Sequence, residues 1–88
     1  MLLNKYDLVK TFDSARENKL PFIFVGVEAF GVKEIISIPE ESFDAKESYL
    51  NKTYDENLIM HTNENISIKY LGCGSNIEEA WGYWQQFG

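Results

Sequence analysis

The chain has 88 residues, of which 44% are hydrophobic, 15% aromatic and 25% charged, and its net charge is −6. This composition describes one small globular domain, too short for two cores and too apolar for disorder. One Cys excludes an internal disulfide, one Cys beside one His argues against a zinc site, and no apolar run nears the roughly 20 residues of a membrane helix.

Residues 4–19 carry helical spacing. Asn4 with Asp7 three positions on is an N-cap signature; Leu8, Phe12 and Ala15 share a stripe; Asn18, Lys19 and Pro21 end the run. Residues 22–28 are almost continuously apolar, which suits a strand covered on both faces. Ala29, Phe30 and Gly31 make a short turn, and residues 32–38 return as the second strand of a hairpin that Pro39 stops. A second helix is expected over residues 40–54, with Glu40 and Glu41 at the positive end of its dipole and Phe43, Leu50 and Tyr54 on its apolar side. Residues 58–62 and 65–71 read as two more strands around a tight turn at Asn63 and Glu64. With Thr62 opposite Asn65, His61 faces Ile66 and Cys73 lies level with Tyr54. Ser75 and Glu78 form a capping-box pattern that opens a last helix, with Ile77, Ala80, Trp81 and Trp84 on its stripe.

The order helix–hairpin–helix–hairpin–helix predicts a single α+β domain over residues 1–88, with three helices and a mostly antiparallel four-stranded sheet. Its expected core contains Phe22, Phe24, Val25, Ile36, Phe43, Leu50, Ile68 and Trp81.

Charge is unevenly placed. Up to Pro39 five acids balance five bases, whereas residues 40–64 hold seven acids and two lysines. An acidic region disfavours nucleic-acid backbones and anionic membranes, and suits a protein partner with a basic surface. Glu40, Glu41, Asp44 and Glu47 are expected on one helix, with Asp55, Glu56 and Glu64 on the turns that follow. Tyr83, off the apolar stripe of the last helix, and Phe30, at the hairpin tip, are candidate apolar anchors.

Gly-Cys-Gly-Ser at residues 72–75 resembles a nucleophile turn, and a thiol near a helix N-terminus can be activated. The only available base is His61, which the expected register places roughly 23 Å away along the strand, against the 3 Å or so that a dyad needs. Cys73 therefore reads as a small residue in a tight turn and His61 as a hydrogen-bonded structural residue. There is no EF-hand loop and no phosphate-binding Gly-Lys-Ser/Thr element. No catalytic residue, metal or cofactor is expected, so the chain is expected not to be an enzyme.

The stretch Glu-Ile-Ile-Ser-Ile-Pro-Glu at residues 34–40, followed by Tyr-Leu-Asn-Lys-Thr-Tyr-Asp-Glu-Asn-Leu at residues 49–58, resembles small uncharacterised phage and prophage proteins of Gram-positive bacteria. The resemblance spans about residues 32–72 and rests on structural positions. Proteins of that kind with a known role often bind and block a host enzyme; acidic anti-CRISPR proteins and uracil-DNA glycosylase inhibitors are two such groups. Residues 54–62 are similar in flavour to the latter, a family more acidic overall, and no functional residue carries across.

The resemblance implies a phage-encoded inhibitor that presents an acidic, nucleic-acid-like face to a basic, nucleic-acid-binding host enzyme. The alternative is a structural or regulatory domain that forms a homodimer through its apolar sheet face. Residues 1–4 lead into helical sequence rather than a signal-peptide core, so a cytoplasmic location is expected, that of the host if the chain is phage-encoded.

Overall fold

Asn4 and Asp7 close the start of the first helix, α1 (Lys5–Glu17), reciprocally. The Asn4 side chain accepts the Asp7 N–H, and the Asp7 carboxylate accepts the Asn4 N–H. In the computed structural model, which describes residues 3–87, α1 ends in a Schellman motif. The Lys19 and Leu20 N–H groups reach the carbonyls of Arg16 and Ala15, with Lys19 in the left-handed region at φ 53°. Leu8, Phe12 and Ala15 are fully buried, as the stripe requires.

β1 (Phe22–Ala29) and β2 (Val32–Pro39) form an antiparallel hairpin, and β1 also pairs antiparallel with β3 (Ile66–Gly74). The sheet order is β2-β1-β3. The continuous apolar run is thus the central strand, and Ile23 through Val27 are buried. After Pro39, Glu40–Ser42 is a 3-10 turn and α2 (Phe43–Thr53) follows. Glu40 stays tied to the hairpin, its N–H donating to the Pro21 carbonyl, so the α-helix starts three residues later than expected. α3 (Ile77–Phe87) closes the chain. Its cap is Asn76 rather than Ser75, since the Asn76 side chain accepts the Glu78 N–H at 2.8 Å.

The expectation of four strands is wrong: the described residues make an α+β fold with three helices and a three-stranded antiparallel sheet, in the order α, β, β, α, β, α. Residues 58–62 form no strand. The Asp55 carboxylate accepts the N–H groups of Asn57 and Ile59, and the Asp55 N–H donates back to the Ile59 carbonyl, which coils this segment into a tight turn. Leu58 sits in the left-handed region at φ 59° with its side chain fully buried. Only isolated bridges remain, Tyr54 with Met60 and Ile59 with Ser67. The register also slips by one, because Met60 rather than His61 bonds to Ile66. Cys73 lies opposite Ile23 on β1, not level with Tyr54.

The two sheet faces are covered unequally. α1 and α2 bury Ile23, Val25, Ile38, Ile68 and Leu58 on one side, where Phe12 meets Phe43 edge-on at 5.9 Å. Among the described residues, α3 is the one helix that covers the other side. Trp84 stacks on Tyr70 and Trp81, at 6.0 and 5.6 Å, directly over Gly26. A Cβ on Gly26 would come within 2.6 Å of the Tyr70 Cβ and 3.0 Å of the Trp84 ring, so glycine is what lets helix and sheet approach this closely. Ile36, expected in the core, is exposed, and Phe22 and Trp81 are half-buried. Ile36 lies on the edge strand on the α1–α2 side, where the helices bury only Ile38 of β2. No helix among the described residues is long and apolar enough to cross a membrane.

Candidate interaction surface

The acidic residues fall into distinct local settings. Glu40 and Glu41 are exposed on the 3-10 turn, before α2 begins, so they do not continue the helix face of Asp44 and Glu47. Asp44 and Glu47 converge on Arg16, the only arginine of the chain. Arg16 Nη2 lies 2.8 Å from Asp44 Oδ1 and 2.7 Å from Glu47 Oε1, and Nη1 lies 3.5 Å from Asp13. The hydrogen bond to Glu47, ahead of the charge of Asp44, raises the Arg16 pKa. These two acids therefore join α1 to α2 and carry less free charge than their number implies. That pairing could not be read locally; its one signal was a lone arginine off the apolar stripe of the first helix.

Asp55 is occupied by its own turn. The Ile59 N–H, before that of Asn57, holds its carboxyl below the usual carboxylate range, helped by the charges of His61 and Lys5. Glu56 is exposed, and its carbonyl accepts the Lys5 N–H at the start of α1.

Phe30 meets the turn that carries Glu64. The Phe30 N–H donates to the Asn65 carbonyl at 3.0 Å, which places Glu64 beside the tip of the β1–β2 hairpin. Phe30 is 67% exposed and Val32, just past the turn, is 60% exposed. Phe30 and Gly31 both have positive φ, 53° and 82°, the geometry of a type I′ hairpin turn. Asn or Gly suits the first of those positions, and a bulky exposed ring there is strained. Tyr83 is also more than half exposed, on α3, near enough to Tyr70 to raise its pKa, although burial is the larger cause.

Cys73 and His61 are separated by the length of β3. Cys73 sits near the end that meets Ile23, whereas His61 adjoins the Ile66 end, about 20 Å away at strand rise. Burial pushes the Cys73 thiol up, away from the reactive thiolate. His61 is exposed, and its backbone N–H donates to the Thr53 carbonyl. Among the described residues no group of three His, Cys, Asp or Glu side chains is placed to hold a metal ion.

An open groove of about 350 Å³ runs between α1 and β3, lined by Leu3, Asp7, Lys10, Thr11, Ser14, Leu71, Gly72 and Cys73. Asp7 is committed to the helix cap and the Thr11 hydroxyl donates to the Asp7 carbonyl, so two of its polar groups already have partners. Sequence patterning could not reveal this groove, because it exists only where α1 crosses the outer side of β3. Comparison of the chain with family models, curated proteins and solved structures gives no match to any of the three.

Proposed function

We propose that the chain is a non-catalytic protein-binding domain, an inhibitor that docks through the tip of its β1–β2 hairpin. The observation that carries the reading is Phe30: an exposed aromatic ring held in a left-handed turn position where it adds strain and little core packing. Such strain clusters at functional sites, and whereas Lys19 takes the same conformation to close a helix and Leu58 to reach the core, the Phe30 ring is exposed. Phe30 with Val32 supplies an apolar anchor, and Glu64 beside it supplies negative charge that draws in a basic partner. The exposed Glu40, Glu41 and Glu56 add to the long-range field rather than to the contact. A basic, nucleic-acid-binding enzyme in the host cytoplasm is the partner class that this charge and the phage-protein resemblance support.

The test uses Phe30→Asn, which suits the turn and removes the ring. Wild type and variant are used as baits in a bacterial lysate, and captured proteins are quantified by mass spectrometry. The expected result is a basic protein retained by the wild type, released by salt, and lost from Phe30→Asn while the variant stays folded by circular dichroism. Identical captures by the two baits would remove the hairpin tip from the function.

A further inference from the structure

Among the described residues, β2 is hydrogen-bonded to a strand on one side only. Its outer edge can be read residue by residue. The Glu40 N–H donates to the Pro21 carbonyl at 3.1 Å, in register with Phe22 opposite Pro39. Antiparallel pairs alternate between bonded and non-bonded positions. Val32, Glu34, Ile36 and Ile38 thus direct their backbone groups toward β1, and Lys33, Ile35 and Ser37 turn theirs outward. The two-residue turn at Phe30 and Gly31 agrees, since it closes on a bonded pair at Ala29 and Val32.

The edge is lightly protected: Glu34 is exposed on the strand, and the only other charge there is Lys33. Lys33, the side chain best placed to shield it, lies over the Trp84 ring at 5.1 Å, turned onto the face of its own sheet. Val32, Ile36 and Ser37 are exposed beside it. Pro39 removes a donor only at the end of the strand.

We propose that this edge pairs with the same edge of a second copy, antiparallel and centred on Ile35, to make a continuous six-stranded sheet. The strand's own pattern selects the register. With Ile35 opposite Ile35 of the other copy, Lys33 faces Ser37 and Val32 faces Ile38, and the outward N–H and C=O groups of Lys33, Ile35 and Ser37 are all satisfied. A shift of two residues one way sets Glu34 against Glu34, and a further shift sets Lys33 against Lys33, both like-charge pairs. A shift the other way places Lys33 against Pro39, which has no N–H to give the Lys33 carbonyl. The proposed register continues with Gly31 against Pro39 and brings each Phe30 level with Glu40 of the other copy, at opposite ends of the assembly.

Residue 37 tests the register, because its exposed side chain faces Lys33 of the other copy there and the pair occurs twice by symmetry. Sedimentation velocity is run from micromolar to millimolar concentration on the wild type, Ser37→Lys and Ser37→Glu, with circular dichroism as the check on folding. A concentration-dependent dimer is expected, weakened about three- to tenfold by Ser37→Lys and tightened by a similar factor at low salt by Ser37→Glu. A wild type that stays monomeric throughout overturns the proposal. So does a dimer that the two substitutions leave unchanged or shift in the same direction.

Discussion

Arg16 Nη2 meets Glu47 Oε1 at 2.7 Å across 31 positions of sequence, joining the end of α1 to the middle of α2. The Glu47 side chain is only 18% exposed, whereas that of Asp44, bonded to the same nitrogen, is 97% exposed. Solvent screens the second contact far more than the first. The Arg16 side chain also lies over the Phe12 ring, at 5.7 Å, so the ion pair rests directly on the core.

Glu47→Gln is therefore expected to lower stability by about 1 kcal/mol, and Asp44→Asn by less than about 0.5 kcal/mol. Urea unfolding of the two variants measures the difference. Equal losses would show that Arg16 treats the two acids alike and that burial plays no part.

Two glycines should respond with opposite signs. Gly26→Ala drives a methyl group into Tyr70 and Trp84 and is expected to cost about 1–3 kcal/mol. Gly82 lies within α3 with nothing within 4 Å of an added Cβ, so Gly82→Ala is expected to stabilise by about 0.5–1 kcal/mol. Thermal unfolding gives both values; a tolerated Gly26→Ala would mean that α3 does not press on the sheet.

The turn at Phe30 carries the reverse relationship between stability and binding. Asn accepts the left-handed conformation more readily, so Phe30→Asn is expected to raise stability by about 1 kcal/mol. The relevant comparison is its denaturant midpoint against the wild type. A fall in the midpoint would show that the ring contributes to folding, contrary to a role in recognition alone.

Acid should weaken the 55–59 turn. The Asp55 carboxyl is held below its ordinary value, chiefly by the Ile59 N–H. A folded-state pKa below the unfolded one stabilises the protein at pH above the unfolded value, near pH 4, and that contribution disappears as pH falls through the folded value. Asp55→Asn keeps an acceptor oxygen but no titratable charge. Its urea midpoint is expected to fall less steeply than the wild type's in that acidic range; parallel curves would assign the acid response to other carboxylates.

How far the sequence reaches is clearest at β1 and at residues 58–62. In β1 an unbroken apolar run leaves a central, doubly covered strand as the consistent reading, because few other settings can bury both faces. The Asn4–Asp7 cap is equally local, with donor and acceptor three residues apart. Residues 58–62 have the side chains of a strand, yet the Asp55 carboxylate takes the backbone N–H groups and Leu58 turns into the core from a left-handed position.

Periodicity records which side chains are apolar, not which backbone partner they will find, so a four-stranded reading and a three-stranded fold fit the same residues. The same limit applies to the surface. Phe30 could be placed at a hairpin tip from its neighbours alone, whereas its proximity to Glu64 depends on how β1 and β3 pair. The capture of Asp44 and Glu47 by Arg16 depends on α1 lying beside α2, and the exposure of Ile36 on α1 and α2 stopping short of the sheet edge. Each of these is a contact between segments distant in sequence, set by how the helices close over the sheet.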